Sequence, residues 1–252
     1  MKLHYKKLGE GSPLIIVHGL FGSADNWGTI GKKFAENNTV FLVDLRNHGR
    51  SPHDPTMNYK VMAKDILELI QDENIIDPVL LGHSMGGKAA LFFAENHPNI
   101  LKKLIVADIG IKSYPMHHDQ IIKGLKNIDL SITQKRSEAL ESLHEYVKEV
   151  GIQQFLLKNL YWVEKGVLGW RMNLDVIIDN IHEILKEISI QSNTTETLFL
   201  RGEFSNYIEK EDYAKIEKAL PNSRIKTISN AGHWLHAENP LDFYKAVVNF
   251  IA

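Results

Sequence analysis

The sequence predicts an α/β protein with a mostly parallel sheet that is covered by helices on both faces. Its first 110 residues contain apolar runs such as SPLIIVHG and NTVFLVDLR, separated by segments with helical periodicity. These runs do not alternate with polar residues, which is typical of strands buried on both faces. The strand pattern fades over residues 112–195 and then returns. We therefore predict one α/β core with a helical insertion.

The bulk composition is that of an ordinary globular protein. The chain has 252 residues, of which 44% are hydrophobic and 24% charged, with a net charge of −2 and interspersed signs. A nucleic-acid binder would show a basic face, and the apolar runs are too short to span a bilayer. The absence of cysteine excludes disulfides, thiolate zinc sites and a cysteine nucleophile. No signal-peptide pattern opens the chain. We expect a cytoplasmic monomer or homodimer without nucleic-acid or membrane partners.

The elements follow in a regular order. Four strands precede the insertion and two follow it, at residues 12–19, 38–46, 77–84, 102–110, 195–202 and 223–229. Helical periodicity covers Trp27–Glu36, Tyr59–Glu73, Met85–Asn96, then Ser137–Val150, Ile152–Leu160 and Leu174–Ile188 in the insertion, and Leu241–Ile251 at the end. This order predicts a core of residues 1–111 and 196–252. The insertion, residues 112–195, would lie between the sixth and seventh strands of the fold.

The strongest local motif is GHSMG, residues 82–86. It follows the apolar run PVLL and precedes KAALFFAENHP, which has the pattern of a helix. A GxSxG motif between a strand and a helix is the sequence of a nucleophile elbow, in which the serine hydroxyl projects from a tight, strained turn. A glycine-rich turn with a surface serine is the alternative. Because both flanks match the elbow, we interpret Ser84 as a nucleophile.

A nucleophilic serine needs donors for the developing oxyanion. The segment HGLFG, residues 18–22, follows the strand LIIV and suits the second loop of an oxyanion hole. The predicted donors are the backbone N–H groups of Leu20 and Met85, with Phe21 as a substitute. We interpret His18 as a support for this loop.

The serine also needs a base, which we expect in a loop after the last strand. The segment NAGHWLHAENP supplies two histidines. His233 follows the strand directly and is the predicted base, whereas His236 is assigned a packing or surface role. The pair His117–His118 suggests a metal site, but no third ligand stands at a suitable spacing. We expect a solvated helix start there.

Taken together, HGLFGS, DLRNHGRS, GHSMGG and AGHWLHAENP resemble the serine α/β-hydrolase superfamily across nearly the whole chain. The segments RNHGRSPH, GEFS and VADIG are similar to the YbfF-type bacterial esterases and their mitochondrial relatives, which act on acyl esters and acyl-CoA thioesters. Residues 112–195 resemble that group only in parts, such as FLLKNL and WRMNLD. The resemblance implies an eight-stranded sheet, a helical cap, and an active site between them.

The acid partner of the histidine is not at its usual place. Most relatives have an aspartate in the turn after the seventh strand, where this chain has Ser205. A serine hydroxyl carries no charge to stabilise an imidazolium. Glu203 would point to the opposite side of the turn, whereas Asp108 ends the strand LIVAD at the same sheet edge. The resemblance implies the same pairing, so we predict Asp108 as the acid with Ser205 assisting. The alternative for Asp108 is a cap where the chain leaves the core.

Further polar residues adjoin these motifs. We expect Asp44 to hold the RNHGRS loop through backbone bonds. Arg46 and Arg50 would brace that loop, or Arg46 would contact an anionic group of the substrate. The predicted apolar substrate pocket comprises Phe21, Tyr161 and Trp162, with Met85, Phe155, Leu156 and Trp170 as further members. Core packing is the alternative role of the aromatic residues in the insertion.

These residues predict hydrolysis of a small-molecule acyl ester or thioester. Ser84 would attack the carbonyl, an acyl-enzyme would form, and water activated by His233 would release the acid. This chemistry requires no cofactor and no metal. The same fold also supports other serine-triad reactions, such as carbon–carbon bond hydrolysis or lyase-type chemistry in quinone biosynthesis, as well as peptide hydrolysis or a non-catalytic receptor.

Overall fold

A computed structural model describes residues 1–191 and 193–252 of the chain. Its main feature is a seven-stranded sheet with the order β1-β3-β2-β4-β5-β8-β9. These strands are Tyr5–Leu8 (β1), Ser12–Val17 (β2), Asn38–Val43 (β3), Val79–His83 (β4), Lys103–Ala107 (β5), Thr197–Gly202 (β8) and Ser223–Ile228 (β9). Strand β1 is antiparallel to β3, and all other neighbours are parallel. The predicted mostly parallel α/β sheet is confirmed.

The strand count differs from the expectation. The described sheet has seven strands, one fewer than the resemblance implies, and the insertion follows its fifth strand, β5. The six predicted strands are all present. The additional strand, β1, has the sequence YKKL and is only partly buried at the sheet edge. An edge strand with exposed lysines has no continuous apolar run, so the apolar pattern did not reveal it.

Eleven α-helices occur in residues 1–191 and 193–252. In the core they are Gly28–Phe34 (α1), Tyr59–Asp72 (α2), Met85–Asn96 (α3), Tyr213–Ala219 (α9), Leu235–Glu238 (α10) and Pro240–Ile251 (α11). In the insertion they are Asp119–Asn127 (α4), Arg136–His144 (α5), Val150–Leu157 (α6), Leu174–Asp179 (α7) and Ile181–Leu185 (α8). The predicted helix Leu174–Ile188 is divided at Asn180, and α4 begins directly after His117–His118, where a helix start was expected. None of these helices is long and apolar enough to cross a membrane.

The insertion also contains a hairpin where only helices were predicted. Leu160–Glu164 (β6) and Val167–Trp170 (β7) pair as a separate antiparallel sheet. The segment YWVE is aromatic and β-branched, which favours a strand. Gly166 in the connecting turn has a φ of +84°, a conformation that glycine adopts without steric cost. The prediction of a helical insertion therefore missed this hairpin, which lies between the predicted helices Ile152–Leu160 and Leu174–Ile188.

Apolar side chains fill both faces of the sheet, which explains why its strands lack alternation. On β2, Leu14 and Ile16 belong to the cluster under α1 and α11, whereas Ile15 and Val17 belong to the cluster under α2 and α3. The latter cluster continues into the insertion, whose buried members include Leu125, Leu143 and Leu156. The insertion thus shares one hydrophobic core with the sheet.

A buried lysine joins α3 to the insertion. The Lys88 side chain is only 1% exposed. Its Nζ donates a hydrogen bond to the carbonyl of Lys112 at 2.8 Å and another to the carbonyl of Lys186. Burial lowers the pKa of this amine to about 7. One side chain therefore contacts the chain on both sides of α4 to α8.

Close backbone approach explains the second glycine of GHSMG, which gives our first prediction. A Cβ on Gly86 would lie 2.5 Å from the carbonyl oxygen of His18 and 2.6 Å from that of Val17. Gly86→Ala should lower the free energy of unfolding by about 1–3 kcal/mol, because these backbone atoms cannot move aside. Urea denaturation measures this loss. Gly28→Ala is the matched control, since nothing lies within 4 Å of a Cβ there. Equal stability of the two variants would contradict the packing argument.

Candidate active site

Ser84 occupies a strained turn between β4 and α3. Its φ is +52° and its ψ is −119°, a combination that costs a non-glycine residue roughly 1–3 kcal/mol. The Ser84 N–H donates to the carbonyl of Ala107 on the neighbouring strand at 2.9 Å. A Cβ on Gly82 would lie 2.2 Å from the Gly86 carbonyl oxygen, so the turn closes only with glycine there. The hydroxyl is therefore held at the carboxyl edge of the sheet.

His233 reaches this hydroxyl from the loop after β9. Its Nε2 lies 3.1 Å from Ser84 Oγ, and its Nδ1 lies 2.8 Å from Asp108 Oδ2. A carboxylate oxygen can only accept a hydrogen bond, so Nδ1 carries the proton and donates a hydrogen bond to Asp108. Nε2 is then unprotonated and accepts from the serine hydroxyl. This tautomer can take a proton from Ser84.

Asp108 is fully buried and takes three hydrogen bonds. Its Oδ1 accepts from the Gly202 N–H at 2.8 Å, and its Oδ2 accepts from Ser205 Oγ and from His233 Nδ1. Asp108 has a φ of +51° where the chain leaves β5, and its own N–H donates to the carbonyl of Leu200 on β8 at 2.7 Å. Donors from the end of β8, from the turn after it and from the loop after β9 thus converge on one carboxylate.

The other carboxylates that the sequence offered lie elsewhere. Glu203 accepts from the backbone N–H of Asn230 at 2.8 Å and is exposed. Asp44 accepts from the backbone N–H groups of Ala24 at 2.7 Å and Arg50 at 2.9 Å. Asp44 therefore holds the RNHGRS loop through backbone bonds.

Arg46 is buried in an ion pair. Its Nε lies 2.6 Å from Asp65 Oδ2, and its Nη1 donates to the Thr56 carbonyl at 2.7 Å. The side chain is 7% exposed. These contacts are those of a loop brace, and they leave the guanidinium engaged by protein groups rather than presented to a substrate. Arg50 is more exposed and lies 3.6 Å from Asp25.

The two predicted oxyanion donors are the backbone N–H groups of Leu20 and Met85. In residues 1–191 and 193–252, neither of them donates to a backbone carbonyl outside its own helix or strand. The Phe21 N–H, by contrast, donates to His48 Nε2 at 3.3 Å. This contact favours Leu20 over Phe21 as the donor from the loop.

His18 supports that loop from below. Its Nε2 accepts from the Leu45 N–H at 3.0 Å, so its Nδ1 carries the proton and donates to the Gly19 carbonyl at 2.8 Å. Burial lowers the pKa of His18, which keeps the ring neutral at physiological pH. A Cβ on Gly19 would lie 3.1 Å from Ser84 Cβ, so the loop packs directly on the elbow.

His236 has a packing position. Its ring stacks on Trp27 with centroids 4.1 Å apart and an angle of 10° between the planes. Burial lowers its pKa to about 3. The ring lies in the core beneath the site, as the prediction of a packing role for His236 allows.

A cavity of about 200 Å³ opens at Ser84 and His233. Its apolar wall consists of Leu20, Phe21, Ile121, Ile152, Phe155, Leu156 and Trp234. Met85 lies instead in a smaller adjoining cavity, together with Tyr59, Lys88 and Tyr114. The apolar lining is drawn from both the core and the insertion.

Two predicted substrate-binding residues are not at this cavity. Tyr161 and Trp162 lie on β6, where the Tyr161 ring packs under the Arg171 guanidinium and Trp162 is 48% exposed. Trp170, on β7, also lies outside the described lining. Because these residues form a hairpin rather than a helix, their side chains follow a strand period that was not anticipated. The predicted place of Tyr161, Trp162 and Trp170 in the wall of this cavity was therefore wrong.

Sequence reasoning also missed residues that contact the site. The His83 Nε2 donates to the His233 carbonyl at 2.8 Å, and Tyr207 packs on the His233 ring. For His83, its position next to Ser84 in GHSMG was the only feature of the sequence that could have indicated a contact with the site. His118 precedes α4 and lines the cavity, where burial lowers its pKa to about 3, so it is not the solvated residue that was expected. No cluster of three or more metal-binding side chains occurs among the described residues.

Comparison with known proteins identifies the family of this chain. The alpha/beta hydrolase fold family matches residues 12–240. The sn-1-specific diacylglycerol lipase ABHD11 of Danio rerio is 37% identical over 252 residues, covering 96% of this chain and 79% of that protein. Esterase YbfF of Escherichia coli (strain K12) is 34% identical over 241 residues, covering 95% and 93%. A solved structure named marine microorganism esterase has a TM-score of 0.96 and 42% identity over 99% of both chains. The chain therefore belongs to the α/β hydrolase fold family.

Proposed function

We propose that the protein is a serine esterase that cleaves carboxylic esters through an acyl-enzyme on Ser84. The observation that carries this proposal is the continuous hydrogen-bonded line from Ser84 Oγ through His233 to Asp108 Oδ2. A serine hydroxyl is a weak nucleophile until an adjacent base can accept its proton. The line supplies that base in the required tautomer, beside a cavity that can hold an apolar group.

In the acylation step, Ser84 Oγ forms a bond to the ester carbonyl carbon while its proton moves to His233 Nε2. The carbonyl oxygen becomes an oxyanion that accepts from the Leu20 and Met85 N–H groups; each such donor contributes about 10²–10³ in rate. His233 then gives the proton to the leaving alcohol as the carbon–oxygen bond breaks. Water repeats the sequence on the acyl-enzyme and releases the carboxylic acid.

Asp108 supplies the charge that this cycle requires. When His233 becomes positive, the carboxylate at its Nδ1 stabilises the imidazolium and keeps the ring in the productive tautomer. Ser205 donates to the same carboxylate oxygen and so assists Asp108 rather than contacting the histidine. In this assignment the acid stands at the end of β5 rather than after β8.

Residues 112–195 act as a cap over the core, which comprises residues 1–111 and 196–252. Phe155 and Leu156 of the cap and Phe21 of the core line the same cavity. Such a pocket suits an acyl chain, and acyl thioesters are included as substrates beside oxygen esters. The relatives carry the names esterase and diacylglycerol lipase, which favours ester hydrolysis over carbon–carbon bond cleavage or a receptor role.

The first test is a panel of p-nitrophenyl esters and acyl-CoA thioesters on the wild type and Ser84→Ala. We expect hydrolysis of oxygen esters by the wild type and its loss in Ser84→Ala, because the variant has no nucleophile. The melting temperature should be nearly unchanged. Wild-type rates on every ester in Ser84→Ala would overturn the nucleophile assignment, and acyl-CoA turnover decides whether thioesters belong to the substrate range.

Substitutions of His233 and His236 should differ clearly in their effects on activity. His233→Ala should abolish turnover, since it removes the proton acceptor of Ser84. His236→Ala should retain most of kcat but unfold at lower temperature, because it removes a ring that stacks on Trp27. Initial rates below the melting transition and thermal unfolding curves measure the two effects. The reverse pattern of activities would exchange the assigned roles.

The carboxylate gives the sharpest test. Asp108→Asn should lower kcat by about 10⁴, the loss reported for the corresponding change in a serine protease. Ser205→Ala should cost on the order of tenfold, because it removes a neutral donor whose bond contributes about 1 kcal/mol. Steady-state kinetics at neutral pH measures both.

A second-site change checks the geometry behind that result. Ser205→Asp places a carboxylate in the turn after β8, next to residue 108, which directly follows β5. The double variant Asp108→Asn/Ser205→Asp should therefore recover activity relative to Asp108→Asn alone. Near-normal kcat in Asp108→Asn would refute the assignment of the acid.

A further inference from the structure

The phenol ring of Tyr207 lies flat against the imidazole of His233. The ring centroids are 4.0 Å apart, and the planes differ by 17°. Tyr207 follows β8 and lines the cavity beside Ser84. Stacking of this kind leaves the imidazole free to use both nitrogens, because it contacts only the ring face. Tyr207 can therefore act on His233 without competing for its hydrogen bonds.

Residues of the cap hold Tyr207 in place. The Tyr207 hydroxyl lies 2.5 Å from His117 Nε2, and His117 Nδ1 lies 2.7 Å from the Pro115 carbonyl. That carbonyl can only accept, so Nδ1 carries a proton, and Nε2 shares a hydrogen bond with the phenol hydroxyl. In addition, the Tyr114 hydroxyl donates to the Tyr207 carbonyl at 2.7 Å. The position of the ring thus depends on the cap.

The phenol face suits a positively charged neighbour. An aromatic ring has a negative electrostatic potential over its face, which attracts a cation. Burial raises the pKa of Tyr207 to about 12, so the residue is a neutral phenol at physiological pH. Asp108, in contrast, places a full negative charge next to Nδ1 of the same imidazole. The two contacts act on the same imidazole from different directions.

The other titratable groups around His233 do not add positive charge. The rings of His83, His118 and His236 surround the site, and burial lowers the pKa of each below its usual range. The Glu238 carboxylate accepts the backbone N–H groups of residues 232 and 234 on the histidine loop. The phenol face and Asp108 are thus the contacts suited to an imidazolium here.

We propose that Tyr207 is a positioning residue for His233: its ring fixes the plane of the imidazole, stabilises the imidazolium, and links both to the cap through His117 and Tyr114. This inference rests on the proposed function, because the imidazolium forms only when His233 acts as the base.

The kinetic test compares two substitutions of Tyr207. Tyr207→Leu removes the ring and should lower kcat by about 3- to 30-fold, with a smaller change in KM. Tyr207→Phe keeps the ring and should restore kcat to near the wild-type value, although it loses the bond to His117. Phe204→Leu is the matched control, because it removes an exposed ring from the same loop. Equal kcat for Tyr207→Leu and the control, or an equal loss in both Tyr207 variants, would overturn the proposal.

A spectroscopic test requires no turnover and covers the case in which Tyr207→Leu is unstable. The Nδ1 proton between His233 and Asp108 should give a low-field proton NMR signal in the free protein. We expect the signal to broaden slightly in both Tyr207→Phe and His117→Ala, because each removes the same hydrogen bond between the Tyr207 hydroxyl and His117 and keeps the stacked ring. It should broaden strongly or vanish in folded Tyr207→Leu. An unchanged signal in folded Tyr207→Leu, or in both of the other variants, would refute the positioning role. If the signal changes in these variants but the protein cleaves no ester, the proposed reaction is refuted and the positioning of His233 by Tyr207 is supported.

Discussion

The buried charge of Asp108 is the constraint on which the rest of the site depends. An unpaired carboxylate in a protein interior is strongly unfavourable, so its surroundings must supply donors. Here they come from three places in the chain, as Gly202, Ser205 and His233 all donate to one side chain. Those donors require β5 and β8 to be neighbours and the loop after β9 to fold over them. Satisfying one charge therefore specifies the arrangement of the whole carboxyl edge.

The elbow adds a second requirement to the same edge. Ser84 keeps a strained backbone because the strands beside it hold the turn, and glycines on both sides allow carbonyl groups to approach within contact distance. Such strain persists only where surrounding structure over-determines it. Burial of the apolar clusters on both faces of the sheet offsets the free-energy cost of this strained backbone. The hydroxyl and the imidazole then meet without further adjustment.

The cap connects to this edge by polar as well as apolar contacts. Lys88 binds carbonyl groups of the chain near both ends of the cap, and His117 contacts the hydroxyl of Tyr207, whose ring stacks on the imidazole of His233. Apolar cap residues such as Leu156 share the core cluster of the sheet. A cap that is held this way can shape the cavity and also influence the proposed base. The wall of the cavity and the contacts of His233 are thereby joined in one structural unit.

The sequence by itself determined the parallel sheet and the strand–turn–helix at Ser84, and it pointed to His233, which lies beside Ser84 in the structure. These follow from local patterns: continuous apolar runs, a GxSxG motif between strand and helix, and a glycine before His233. It also pointed to Asp108, because parallel strands end at a common edge. The tertiary structure alone decided that Tyr161 and Trp162 lie away from the cavity, and that Tyr207 packs on the imidazole. Those contacts join residues far apart in the chain, and no local periodicity records which distant side chains will meet.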